Sequence, residues 1–350
     1  MRDLLDPRGV YRFRDVRVES LAFHSDEVRP GSLFFAMSGA EHDGRQFVDE
    51  AIKRGAVAIV CDRPMSIPVP VMVVDDVAAA LADTACFFYG NPSASLQVLG
   101  ITGTNGKTTT THLLRHCLEV DGRKTGLLGT IAYEYAGRCI PASHTTPDAV
   151  RVQGYLREMV DRGLQSCVME VSSHALAQQR VRGVDFRLGV FLNLSPEHLD
   201  YHDSMEDYAA AKARLFESLG PGDVACLNLD DPATARMYEA LPDGVAVRSF
   251  GTHPDAIFRA IHPRATIDGT RFTLEMPRGS VDLRLPLVGA YNVQNALAAA
   301  AAAHSLGVSE LTIANALETA SAPRGRLELA GVCGGVRVFV DYAHTADALD

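Results

Sequence analysis

Four short stretches rich in apolar residues, 96–102, 165–171, 188–194 and 224–229, punctuate the middle of the chain, each bounded by polar or turn-forming residues. They lack the alternation of apolar and polar residues that marks a half-solvated strand, so they read as strands covered on both faces, as in a mainly parallel sheet. Between them the apolar positions recur at helical spacing. Thr146, Pro147 and Asp148 offer an N-cap, an N1 proline and an acidic first turn for a helix through Leu156, Met159 and Val160 that stops at Gly163. Ser204-x-x-Asp207 opens another helix that runs to Leu219 and its cap Gly220, and a third covers residues 291–306 and ends at Gly307. Strands alternating with helices in this order predict an α/β fold.

Upstream, residues 31–36, 57–61 and 69–74 are shorter β-rich runs separated by Pro and Gly, the texture of a small α/β domain. Gly90-Asn-Pro-Ser-Ala94 is turn-forming, and the expected domain boundary falls there. A chain of 350 residues, 47% apolar and 22% charged, is long enough for more than one core. Its formal net charge of -10 argues against partnership with nucleic acid or an anionic membrane surface, both of which need excess Lys and Arg. Seven cysteines without any C-x-x-C pair favour reduced thiols, and so a cytoplasmic chain, over a disulfide framework or a zinc knuckle. The longest apolar run, 296–303, is short and alanine-rich, so no membrane insertion is expected.

The first buried strand runs into Gly103-Thr-Asn-Gly106, a turn, and then into Lys107-Thr-Thr-Thr-Thr-His, a helix start. A glycine-rich turn entering a helix N-terminus aims several backbone N–H groups and the positive dipole end at one point. Gly103, Thr104, Asn105, Gly106, Thr108 and Thr109 therefore frame a polyphosphate site, to which Lys107 adds a full charge and Thr108 a metal-ligating hydroxyl. The strict pattern G-x4-G-K-[ST] is missed by one residue, because Ile101 stands in the place of the first glycine. The flanking strand and helix carry the reading instead.

Glu170 closes the second buried run and His198 follows the third. With the phosphate loop, both leave the carboxyl ends of neighbouring strands, the edge at which open α/β sheets bind ligands. A carboxylate suits Mg²⁺, and a nearby histidine suggests a second, less strict metal position. Lys212, in Tyr208-Ala-Ala-Ala-Lys-Ala-Arg-Leu-Phe216, reads from pattern alone as a solvent-facing helical lysine. Asn292 and Asn295 lie three apart and so share one helix face.

The run Thr102-Gly-Thr-Asn-Gly-Lys-Thr-Thr109 resembles the nucleotide loop of the Mur ligases and of folylpolyglutamate synthetase, and the resemblance extends through most of the chain. Members bind MgATP at this loop, phosphorylate a substrate carboxylate and let an amine displace the phosphate. The resemblance is strongest to the branch that adds the third amino acid, meso-diaminopimelate or L-lysine, to the UDP-MurNAc-dipeptide of peptidoglycan synthesis. It implies catalytic roles for Lys107, Glu170, His198 and Lys212, with Glu170 and His198 on magnesium and Lys212 carbamylated by CO₂ into an anionic magnesium ligand (N6-carboxylysine). A charge reversal there makes physical sense beside a metal and a polyphosphate.

His144-Thr-Thr-Pro147 and Ser172-Ser-His-Ala-Leu-Ala-Gln-Gln-Arg180 match the stretches that hold the UDP-linked dipeptide, which implies Thr145, Thr146, Ser172, Gln178 and Arg180 as substrate-binding residues. An Arg can fork onto the dipeptide's carboxylate. Asn295 is implied beside adenine, Arg326 on ATP from the linker Pro323-Arg-Gly-Arg-Leu-Glu328, and Asp341 and His344 at the ribose end. Ser25 is implied in uridine binding. There the chain departs from the family's Asp-Ser-Arg, reading His24-Ser25-Asp26, and an acid beside a diphosphate-sugar is repulsive.

The implied organisation is a UDP-precursor-binding domain over 1–92, a central ATP-binding domain over 93–325 and, over 326–350, the start of a Rossmann-like amino-acid-binding domain that the chain does not complete. A monomer is expected. The alternatives are the fourth-step ligase or folylpolyglutamate synthetase within the family, and outside it a non-catalytic nucleotide-binding remnant.

Overall fold

The computed structural model describes residues 7–11, 14–38 and 43–343. The chain divides into two compact units: residues up to Pro92 with Asp148–Arg157 and Gln178–Val184, and residues Ser93–Pro147 and Glu158–Ala177 with those from Asp185 on.

The first unit holds a five-stranded sheet of β1 (Gly9–Tyr11), β2 (Ser20–Ala22), β3 (Ser32–Phe35), β4 (Ala56–Cys61) and β5 (Val71–Val73) in the order β1-β5-β4-β3-β2. Neighbours from β2 to β5 pair in parallel, and β1 is antiparallel at the edge. Successive residues of a strand face opposite sides, so every position of β3 is apolar or small and both faces are covered. Phe34 and Ile59 pack with Val48 and Ala51 of helix α1 (Val48–Lys53). Leu33, Phe35 and Val60 pack with Val77, Leu81 and Ala85 of α2 (Val77–Phe88). Asp76 caps α2 by accepting from Ala79 N at 2.9 Å.

The second unit begins with β6 (Gln97–Thr102), α3 (Lys107–Val120), β7 (Thr125–Leu128), β8 (Ala132–Tyr135) and β9 (Arg138–Pro141). Then come α4 (Ala149–Asp161, begun in the first unit), β10 (Ser166–Glu170), α5 (Ser173–Ala177), β11 (Phe186–Phe191), α6 (Met205–Glu217), β12 (Val224–Asn228), α7 (Thr234–Glu239) and β13 (Ala246–Gly251). It ends with β14 (Phe258–Thr266), β15 (Gly269–Met276), β16 (Gly279–Leu285), α8 (Tyr291–Ser305), α9 (Glu310–Glu318), β17 (Glu328–Cys333) and β18 (Val336–Val340).

Its large sheet runs β16-β15-β14-β13-β12-β11-β6-β10-β7-β8-β9. All pairs from β7 across to β14 are parallel, and antiparallel strands extend both edges. The four runs singled out in the sequence are β6, β10, β11 and β12, adjacent to one another apart from the order of insertion, and almost wholly buried. The carboxyl ends of β7, β10, β6, β11 and β12 therefore share one rim. Helix α8 is so rich in alanine because it runs through the core: Ala296 to Ala303 are inaccessible, and their small side chains let the helix lie close to Leu113, Leu114 and Cys117 of α3.

The expected helix start at Thr146 is displaced. Asp148 accepts from Arg151 N at 2.9 Å, so the cap lies two residues later, while Thr146 Oγ1 donates to Glu170 O at 2.7 Å and is claimed by the neighbouring strand end. Ser204 caps α6 as its pattern predicts, accepting from Asp207 N. The strand expected at 336–340 pairs antiparallel with β17, as a two-stranded hairpin.

Candidate active site

The phosphate loop connects β6 to α3 and is shaped by two glycines. Gly106 has φ +86°, and a Cβ there would lie 2.2 Å from Asn295 Oδ1. Gly103 passes so near the next loop that a Cβ would lie 2.8 Å from that of Leu192. Both positions exclude a side chain for steric reasons. The first helical hydrogen bond runs from Thr110 N to Gly106 O, so the N–H groups of Lys107, Thr108 and Thr109 have no partner within the helix, as at any helix start.

Two ammonium groups meet at the loop. Lys107 Nζ donates to Gly103 O at 2.9 Å and Thr104 O at 2.8 Å, and Lys212 Nζ donates to the same Gly103 O at 2.9 Å. Against the reading from helix pattern alone, Lys212 is 1% exposed on the inner face of α6, and its ammonium stands 4.3 Å from the centre of the Tyr208 ring. Burial lowers the pKa of both lysines. For Lys212 the nearby Lys107 charge lowers it further, well below the ordinary value, and for Lys107 the charges of Glu170 and Glu197 partly oppose the burial.

Glu170, inaccessible at the end of β10, accepts from Thr108 Oγ1 at 3.0 Å, Thr130 N at 2.8 Å and Thr130 Oγ1 at 2.9 Å. Gly129 allows this, since a Cβ there would lie 2.3 Å from Glu170 Oε1. Thr130 escaped the sequence reading; the signal was a Gly-Thr pair directly after a buried strand. His198 has φ +58°, lies 3.6 Å from Glu197 and stacks edge-on against His174 with ring centres 4.7 Å apart. Burial lowers its pKa, Glu197 opposes that, and the charges of Lys107 and Lys212 lower it again. Lys107, Glu170, His198 and Lys212 are thus gathered at one rim.

Asn295 is almost fully buried, accepting from Thr110 Oγ1 at 3.2 Å and donating to Asn292 Oδ1 at 2.9 Å, while Asn292 donates to Val288 O at 2.7 Å. Its amide faces the underside of the phosphate loop. Thr109 is buried in the first turn of α3. Arg326 reaches Thr108 Oγ1 at 3.5 Å and lies over the Tyr342 ring. Asp341 accepts from Leu327 N and Ala343 N, each at 2.6 Å, and His344 falls outside the described residues.

Of the residues expected to bind the precursor, Thr145, Thr146 and Ser172 belong to the second unit. Thr145 Oγ1 accepts from Thr130 Oγ1 at 3.1 Å, and Ser172 N donates to Thr146 Oγ1 at 3.1 Å, which ties both threonines to the Glu170 neighbourhood. Ser25, Gln178 and Arg180 belong to the first unit. There Ser25 donates to Glu50, and Arg180 donates to Gln178 Oε1 at 3.0 and 2.6 Å.

A helix N-terminus, a lysine, and a threonine hydroxyl on a buried carboxylate, all at the carboxyl rim of a parallel sheet, form an arrangement suited to receiving a polyphosphate. Residues 101–303 match the Mur ligase middle domain and residues 17–89 the Mur ligase family catalytic domain. The UDP-N-acetylmuramoyl-L-alanyl-D-glutamate–2,6-diaminopimelate ligase of Geobacter metallireducens is 44% identical over 96% of this chain and 67% of its own length. That of Geobacillus thermodenitrificans is 42% identical over 97% and 71%. A solved structure of such a ligase superposes with TM-score 0.83 at 29% identity, covering 95% of this chain and 68% of that one. MurF from Acinetobacter baumannii shares the fold, with TM-score 0.71 at 24% identity over 95% and 70% of the two chains. The chain belongs to the Mur ligase family, whose members are ATP-dependent ligases.

Proposed function

We propose that this chain serves the ATP-dependent ligation of diaminopimelate to UDP-N-acetylmuramoyl-L-alanyl-D-glutamate, the third-step reaction of peptidoglycan assembly, in the cytoplasm. The observation that carries the reading is the meeting of Thr108 Oγ1 and Glu170 Oε2 at 3.0 Å directly beside the loop that holds Lys107. The names of the relatives at 44% and 42% identity support the choice of substrate and of diaminopimelate over L-lysine.

A hydroxyl beside a buried carboxylate is a fitting oxygen donor set for Mg²⁺, which keeps several waters and needs few protein ligands. Thr108 and Glu170 would hold it, with His198 nearby, and when bound it supplies charge neutralisation on the polyphosphate. Lys212 fits a carbamate: burial favours its neutral amine, the form that adds CO₂, and the product would be an anion facing Lys107.

In the reaction, an oxygen of the D-glutamyl carboxylate attacks the γ-phosphorus of ATP, the bond to the bridging oxygen breaks, and ADP leaves. Lys107 and the N–H groups at the start of α3 stabilise the charge that builds on the phosphate oxygens. The acyl phosphate gives the carbonyl carbon a good leaving group. The neutral amine of the amino acid attacks it, phosphate departs, and the amine loses a proton. Thr145, Thr146 and Ser172, tied to Glu170's strand, would hold the dipeptide end at this rim; Ser25, Gln178 and Arg180 are the other residues that the family's pattern implies in precursor binding.

The test is release of ADP that requires both the UDP-linked dipeptide and diaminopimelate, with L-lysine as the comparison amino acid, together with thermal shift on the UDP-linked dipeptide against folate. Stabilisation by folate and not by the dipeptide would overturn the reading.

A further inference from the structure

We propose that Asn193 is a positioning residue of the nucleotide site, which holds the phosphate loop so that phosphates are received by the N–H groups of residues 106–109 and not by those of Thr104 and Asn105. The inference deepens the reading of this loop as a polyphosphate site and rests on it.

Asn193 is the second residue past β11, on the strand next to β6. Its side-chain amide pairs reciprocally with both backbone groups of one loop residue: Oδ1 accepts from Asn105 N at 2.8 Å and Nδ2 donates to Asn105 O at 3.2 Å. Its own carbonyl accepts from Thr104 N at 3.0 Å. Two residues on, Ser195 N donates to Thr104 Oγ1 at 3.0 Å, and that hydroxyl also meets Ser195 O at 3.2 Å and Tyr208 OH at 3.2 Å. Both loops are thus stitched together by one amide, one carbonyl and one hydroxyl.

The consequence follows from donor supply. A loop amide that already donates inside the protein is not available to a ligand without breaking that bond. The N–H groups of Thr104 and Asn105 are engaged by Asn193, whereas those of the first helical turn have no intrahelical partner. The bond from Thr104 N to Asn193 O holds the peptide between Gly103 and Thr104, and so fixes where Gly103 O points; that oxygen receives both Lys107 and Lys212. A side-chain amide suits this place because it is at once donor and acceptor and carries no charge beside the phosphates. Gly103 matters for the same reason, because a side chain there would drive Leu192 and Asn193 away.

The experiment compares the full chain with Asn193→Ala by calorimetric titration with ADP, inorganic pyrophosphate and adenosine, each with magnesium and with chelator. The expected result is about ten-fold weaker binding of ADP and pyrophosphate, the equivalent of ~1.4 kcal/mol, whether or not magnesium is present. Adenosine, which has no phosphates, should bind as to the unaltered chain, and the melting temperature without nucleotide should move by no more than a few degrees. Unchanged ADP affinity, or an equal loss for adenosine, would overturn the proposal. Should the alanine variant fail to fold, Asn193→Ser is measured in the same way, since its hydroxyl is too short to span both Asn105 groups. An unaltered chain that binds neither ADP nor pyrophosphate would remove the phosphate site itself and this inference with it.

Discussion

The nucleotide rim and the hairpin of β17 and β18, both in the second unit, treat burial in opposite ways. At the rim, Thr108, Glu170 and Lys212 are 4%, 0% and 1% exposed, and each has hydrogen-bond partners inside the protein. In the hairpin, Val332, Val336 and Val338 are 62%, 65% and 50% exposed. Polar groups are desolvated where each finds a hydrogen-bond partner, and the apolar hairpin positions stand in water. The energetic weight of a residue therefore follows its partners more than its polarity.

The sharpest way to break this contrast is Lys212→Ala. It should lower the ligation rate on the order of a thousand-fold, comparable to removing a preorganised electrostatic group, with no rescue by high bicarbonate. The folded state should survive, as judged by circular dichroism. A variant that keeps its rate would mean that the buried Lys212 side chain has no part in the chemistry.

Gly106→Ala comes next. It forces an L side chain into φ +86° and against Asn295 Oδ1, which should cost about 1–3 kcal/mol. Chemical denaturation measures the loss, and ADP affinity should fall with it. Glu170→Gln tests the same rim from the carboxylate side. Its NH₂ group would replace one of the two accepting oxygens and face one of the Thr130 donors, so about 1–3 kcal/mol should be lost, together with the magnesium-dependent part of nucleotide binding.

A smaller effect is expected with pH. Burial against Phe258 lowers the pKa of His304, Glu310 opposes the shift, and Arg248 and Arg278 add to it. A depressed histidine contributes stability that is present above its unfolded value, about 6.5, and is lost as pH falls through the folded value. The melting temperature should therefore drop between pH 7 and pH 5, and His304→Gln should flatten that drop. The smallest change is Val336→Thr in the hairpin, which should alter stability by no more than about 0.5 kcal/mol. A larger loss would show that the exposed valines are not equivalent to surface positions and would weaken the comparison.

Local chemistry made part of the molecule legible from the chain alone. The buried strands, the turn at Gly103 and Gly106, the start of α3 and the Ser204 cap are each specified within a few residues, because dihedral preference, periodicity and capping act at short range. Contacts distant in sequence were decided by the sheet order. Only the adjacency of β10 to both β6 and β7 brings Glu170 to Thr108 and Thr130, and only that of β11 to β6 brings Asn193 to Asn105. The same holds for Lys212, whose helix pattern is indifferent to direction: packing of α6 turned it inward onto Gly103 O. Thr146 lost its expected capping role to Asp148 because a strand end arrived within reach of its hydroxyl. Periodicity and capping propensity act within a few residues and could be read from the chain, whereas these pairings depend on which strands lie side by side, and that was settled when the sheet closed its core.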